Sequence, residues 1–147
     1  MKHKLNTKRS GFTLVEIMIV VSIISLLAAI AVPNFMRSRK RSQATQILDE
    51  LRMISSAVDQ YALETNRIAN FQVSWPDVQK YLKKSTRLFA SRGNDIFGGP
   101  YGSKDTTGTS SYAGVFVVDG AITFDNVTFD RLQDIAPADF WSPFTAN

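Results

Sequence analysis

The sequence contains no cysteine, which removes thiol catalysis, Cys-ligated zinc and disulfide staples from consideration. Its only histidine is His3, so the rest of the chain lacks both the usual general base and the commonest transition-metal ligand. Catalysis would have to rest on carboxylates, lysines or hydroxyls alone. An excess of one charge sign is also missing from most of the chain. The formal net charge is +4, yet four of the 17 basic residues (Lys2, Lys4, Lys8 and Arg9) precede Gly11 and no acidic residue does, so residues 12–147 carry 13 charges of each sign. A basic balance suggests acidic partners such as nucleic acid or anionic lipid; in this chain that balance belongs to the N-terminal segment. At 147 residues the chain has the length of one domain and can bury a modest core.

What the chain does have is one long apolar run. Residues 12–32 read FTLVEIMIVVSIISLLAAIAV with Glu16 as the single charge. As a helix they span about 31 Å, which matches the roughly 30 Å hydrocarbon core of a bilayer. A run apolar on every face needs lipid or protein on every side. A secretory signal peptide is the rival reading, with the early lysines and arginine as its basic region and Ala29-Ile30-Ala31 as a small-x-small cleavage site. Glu16 interrupts that would-be apolar region, and the run is longer than such regions normally are.

The junction Lys8-Arg9-Ser10-Gly11-Phe12-Thr13-Leu14-Val15-Glu16 resembles the prepilin cleavage and methylation motif of the type IV pilin-like family: a basic leader ending in Gly, then Phe, with Glu fifth after the cut. The resemblance extends through the apolar run to Pro33, where such proteins typically carry proline, although Ser25 stands where many members have glycine. It implies cleavage by a prepilin peptidase between Gly11 and Phe12, N-methylation of Phe12, and retention of the apolar segment as an anchor. Cleavage would create a cationic amine at Phe12, about 6 Å along the helix axis from Glu16. An intramembrane carboxylate is functional by default. The family resemblance suggests that Glu16 and Phe12 pair between subunits and set assembly register, against the plainer reading of a Glu snorkelling to the interface. Pro33 removes the hydrogen bond to the Ala29 carbonyl and is expected to kink or locally unwind the helix.

Beyond Pro33 comes Arg37-Ser38-Arg39-Lys40-Arg41. This cluster balances the four leader charges, so charge asymmetry does not set the orientation. It could touch lipid headgroups, neighbouring subunits or DNA, and a solvated flank is the plainer reading. Ala44, Ile47, Leu48, Leu51, Ile54, Val58, Tyr61 and Ala62 then recur at three- and four-residue steps, the stripe of an amphipathic helix ending near Asn66. Asp49, Glu50, Arg52, Asp59, Gln60 and Glu64 fall mostly between them. Ser74-Trp75-Pro76-Asp77 opens a short capped helix, and residues 93–109 read as a loop. The pair Asp119-Gly120 between Tyr112–Val118 and Ala121–Phe124 predicts a β-hairpin, with Val127–Phe129 as a third strand and the aromatic tail from Phe140 to Phe144 covering the core.

Together these features predict an α+β fold: a long N-terminal helix, half transmembrane and half amphipathic, packed on a small C-terminal antiparallel sheet domain. The divisions are a leader (1–11), a transmembrane and filament-core helix (12–33), an amphipathic helix (34–66) and a globular part (67–147). Asp95-Ile96-Phe97-Gly98-Gly99-Pro100-Tyr101 resembles a stretch of major pseudopilins of type II secretion systems, with Ile96 and Phe97 departing from the commonest form. Absence of cysteine points the same way, since adhesive type IV pilins commonly carry a C-terminal pair. The resemblance thus implies a structural subunit of a type II secretion pseudopilus rather than an enzyme, anchored in the bacterial inner membrane with its leader cytoplasmic and its bulk periplasmic. Its partners would be further copies of itself, minor pseudopilins, the prepilin peptidase and an inner-membrane assembly platform. A type IV pilus subunit and a DNA-uptake pseudopilin are the alternatives. No cofactor is expected, except that some major pseudopilins bind calcium, for which Asp95, Ser103, Asp105, Thr106 and Asp119 offer oxygen ligands without EF-hand spacing.

Overall fold

The computed structural model describes residues 11–103 and 114–147. The chain divides into two units, Met1–Arg37 and Ser38–Asn147. Helix α1 (Leu14–Thr65) contributes to both.

In the first unit α1 is apolar and exposed on all sides: Leu14, Ile17, Met18, Val21, Ile24 and Leu27 are each at least half exposed. No residue of its most apolar window is buried, and this helix is long and apolar enough to cross a membrane. The two serines of this apolar stretch do not leave hydroxyls stranded. Ser22 Oγ donates to the Met18 carbonyl and Ser25 Oγ to the Val21 carbonyl, both at 2.7 Å, so each polar group is satisfied within the helix, as lipid demands. Pro33 lies inside α1 rather than at its end. It withholds a donor from the turn before it, and the helix continues without a break on either side.

The second unit is built on the remainder of α1. Ala44, Ile47, Leu48, Leu51, Ile54, Ala57 and Val58 are buried, the face that three- and four-residue spacing turns inward. The helix stops where it should. Asn66 takes a left-handed φ of 52°, and the Arg67 N–H reaches back to the Ala62 carbonyl at 3.0 Å, the Schellman closure that an αL residue after the C-cap permits. Strand β1 (Gln72–Val73) follows, then α2 (Trp75–Val78) running into a 3-10 turn at Gln79–Tyr81, and α3 (Arg87–Ala90), capped by the Thr86 hydroxyl. The rest is β2 (Phe116–Val117), β3 (Thr123–Phe124), α4 (Asn126–Leu132), α5 (Ala138–Trp141) and β4 (Thr145–Ala146). The architecture is α+β, a long N-terminal helix with a small antiparallel sheet of β1 and β2. Trp141 and Phe144 are buried, so the aromatic tail does complete the core.

Two local expectations fail. The Asp119-Gly120 turn forms, with Asp119 at φ 56° and the Gly120 N–H bonded to the Val117 carbonyl, but its flanks do not pair with each other. β2 pairs antiparallel with β1, and the Val118 N–H and carbonyl bond to Phe71 and Asn70. β3 instead pairs parallel with β4. Residues 70–73 have taken the hydrogen-bonding edge that a hairpin would have used. The expected third strand at Val127–Phe129 is the middle of α4: the Asp125 carbonyl accepts from Thr128 and Phe129, and Thr128 and Leu132, one turn apart, share its buried face. Burial of that face overrides the strand preference of Val, Thr and Phe. Tyr112, the expected start of the first hairpin strand, lies outside the described residues.

Candidate processing and assembly site

Gly11, Phe12 and Thr13 precede the first turn of α1 and are exposed. The turn is organised by a capping box. Thr13 Oγ1 accepts from the Glu16 N–H at 3.2 Å, while Glu16 Oε2 accepts from the Thr13 N–H and from its hydroxyl, both at 2.8 Å. Two otherwise orphaned donors are satisfied reciprocally, and the carboxylate sits where the partial positive charge of the helix N-terminus favours an anion. The sequence carries the signal as Thr13-Leu14-Val15-Glu16, a Thr-x-x-Glu opening an apolar run. Reading Glu16 only for its role between subunits misses this local one.

A free amine at Phe12 would begin one residue before the N–H that touches Glu16. The carboxylate is therefore already turned toward the place where processing would leave a positive charge. A side chain at Gly11 would meet nothing within 4 Å in this chain. If glycine is required there, the requirement is imposed from outside, by whatever binds the scissile bond. Phe12 is 84% exposed, available to another molecule.

The Asp95 to Tyr101 stretch binds inward. Asp95 is buried and accepts from the backbone N–H groups of Phe97 and Gly99 at 2.7 and 2.9 Å and from the Thr128 hydroxyl, which ties the loop to α4. Gly99 lets this carboxylate approach: a Cβ there would lie 2.9 Å from Asp95 Oδ2 and 2.8 Å from Asp125 Cβ. Tyr101 donates its hydroxyl to Glu50 at 2.7 Å. The same carboxylate accepts from Arg87 Nε and Nη2 at 2.9 and 2.5 Å. Glu50 is thus a buried member of the α1 stripe and not of its polar face; its place three residues after Ile47 and four before Ile54 is the mark that could have revealed it. Burial and the Glu50 charge hold the Tyr101 phenol well above its ordinary range. Of the oxygens that could serve calcium, those of Asp105 and Thr106 lie outside the described residues, and no group of three or more metal-binding side chains occurs among the described ones.

Comparison with known proteins bears on both regions. Residues 6–32 match the family model of the prokaryotic N-terminal methylation motif. The chain is 32% identical over 117 residues to the type IV major fimbrial protein FimA of Dichelobacter nodosus, covering 80% of this chain and 65% of that one. It is 40% identical over 68 residues to the type IV major pilin protein PilA of Myxococcus xanthus, 46% of this chain and 31% of the relative. It is 37% identical over 76 residues to type II secretion system core protein G of Pectobacterium carotovorum subsp. carotovorum, 52% of this chain and 44% of the relative. The chain spans less than two thirds of the length of each of these. No solved structure matches significantly.

Proposed function

We propose that this chain, a pilin-like prepilin by its methylation motif and its relatives, is a structural subunit of a type II secretion pseudopilus and not an enzyme. Prepilin peptidase cuts between Gly11 and Phe12, the Phe12 amine is methylated, and residues 12–33 hold the subunit in the inner membrane until an assembly platform adds it to a filament of identical copies and minor pseudopilins. The leader is cytoplasmic and the residues beyond the membrane are periplasmic. Glu16 of one subunit pairs with the Phe12 amine of a neighbour. The observation that carries this reading is a single carboxylate fixed in the first turn of α1, whose stretch from Leu14 to Val32 is otherwise uncharged and is exposed throughout, immediately after Gly11-Phe12. The intact mass of membrane-purified protein tests it: the mature chain should begin at N-methylated Phe12, and a chain beginning at Val32 would mean an ordinary signal peptide.

A type IV pilus subunit is the second reading, favoured by one specific observation, that the fimbrial relative aligns over more of the chain than core protein G does. Deleting the gene separates the two. Loss of exported proteins with surface fibres intact supports the secretion reading, and loss of surface fibres with export intact supports the pilus.

A further inference from the structure

We propose that Arg37, Arg39 and Arg41 form a collar that binds the phosphodiester headgroups of anionic phospholipid where α1 leaves the bilayer, an inference that rests on residues 12–33 spanning the membrane. The four cations of this run are not equivalent. Lys40 Nζ is engaged by Asp134 Oδ2 at 2.9 Å, so its charge is spent within the second unit. Arg37, Arg39 and Arg41 are exposed, and no ion pair or hydrogen bond engages their side chains among the described residues. None has an acidic residue three or four positions away on its own helix.

Their spacing fits a headgroup layer better than a one-sided partner. The run begins about 6 Å and ends about 12 Å along the axis beyond Pro33, at and just outside the roughly 5–8 Å headgroup region, and helical side chains lean toward the N-terminus, which returns the long arginines toward that layer. Arg37 and Arg41 lie about 40° apart around the helix while Arg39 lies about 200° from Arg37. A DNA duplex or a protein surface would meet one side of this arrangement. Lipid surrounds it. Guanidinium groups also suit the ligand, since their planar forks hydrogen-bond phosphate oxygens in pairs. The chain beyond the leader carries equal numbers of each charge sign, so the attraction is local to the collar.

The test uses the full chain reconstituted in phosphatidylcholine vesicles containing about a fifth phosphatidylglycerol, with spin-labelled phosphatidylglycerol and phosphatidylcholine as probes of the motionally restricted lipid shell. The wild type should enrich phosphatidylglycerol over phosphatidylcholine in that shell at low salt and lose the enrichment as salt rises. The triple variant Arg37→Gln, Arg39→Gln, Arg41→Gln should show a clearly reduced preference, keeping only the part that the leader cations supply. Lys40→Gln should lose little, because that charge is already paired. Leader cations act equally in all variants, so each is read against the wild type. Equal association of both lipids with the wild type, an undiminished preference in the triple variant, or an equal loss in Lys40→Gln overturns the proposal. So does arginine-dependent binding of a labelled DNA duplex to the chain in neutral vesicles without any lipid preference. Alkaline extraction of the same vesicles separates the failures: a released chain removes the spanning reading and the collar with it, whereas a retained chain without lipid preference overturns the collar alone.

Discussion

Glu16 and Glu50 are both carboxylates on α1, and different donors meet their needs. A charged side chain at the centre of a membrane helix costs roughly 2.5–3.5 kcal/mol on insertion scales, and Glu16 offsets part of such a cost through the two hydrogen bonds from Thr13. On the proposed register role, Glu16→Ala should leave cleavage after Gly11 and membrane insertion intact while the number of filaments falls sharply. Crosslinking and electron microscopy of expressing cells read this directly, and normal filaments would reduce Glu16 to a tolerated charge. Glu50 is buried and answered by Arg87, Tyr101 and Gln46. Arg87→Ala leaves this buried charge without its cationic partner, an effect on the order of 3 kcal/mol that the remaining Tyr101 and Gln46 donors lessen, read as a lower denaturation midpoint with an unchanged denaturant slope. Tyr101 adds a pH dependence whose sign is fixed. Its folded-state pKa is raised, so the native state holds the phenolic proton more tightly than the unfolded chain. The resulting stability is fully present below the ordinary tyrosine value near 10 and is lost as pH rises beyond it. Thermal melts from pH 8 to 11 should fall more steeply for the wild type than for Tyr101→Phe.

Among the elements, the loop from Gly93 to Ser103 depends on one glycine more than its composition suggests. Gly99→Ala puts a methyl group against Asp95 and Asp125, and overpacking of this kind costs typically about 1–3 kcal/mol. Chemical denaturation should register that loss, and an unchanged midpoint would show that the Asp95 cradle relaxes freely. Helix α1 is legible in the sequence because its signals are long: the apolar run, the stripe from Ala44 to Ala62 and the Asn66 stop all appear where the pattern puts them, whereas α4, seven residues long, reads as a strand. The pairing of the strands is not legible. β2 and β3 fall within the two β-prone runs that flank Asp119-Gly120, but each strand is only two residues long, β1 and β4 give no signal, and the partners are chosen by contacts far away in sequence. Asp119-Gly120 specifies a turn correctly and says nothing about which strands flank it. At the candidate site the same division holds. Gly11, Phe12 and Glu16 are readable as residues, whereas the Glu50, Arg87 and Tyr101 cluster joins positions 37 and 51 apart and no local pattern announces it.

For the molecule as a whole, the distribution of buried surface predicts what can be removed. Among the described residues every member of the buried core, from Ala44 to Phe144, lies in the second unit, and the large apolar side chains from Phe12 to Met36 are exposed. Deleting residues 1–37 therefore removes none of the described buried core residues, and it removes the apolar surface that would otherwise need lipid or neighbouring subunits. What stays exposed is scattered: Met53, Leu63, Ile68 and Val127. A fragment beginning at Ser38 should be soluble without detergent, give the circular dichroism of a mixed α and β protein, unfold in one cooperative transition, and sediment as a monomer. The first new turn of α1 will fray, since isolated helix ends lack partners for their N–H groups, yet Lys40 remains tied to Asp134 and limits how far the fraying runs. A fragment that aggregates or melts without cooperativity would show that the second unit needs the membrane segment to fold. One that assembles into regular filaments would show that the surface of the second unit drives polymerisation, and residues 12–33 would then serve as an anchor without being the assembly element.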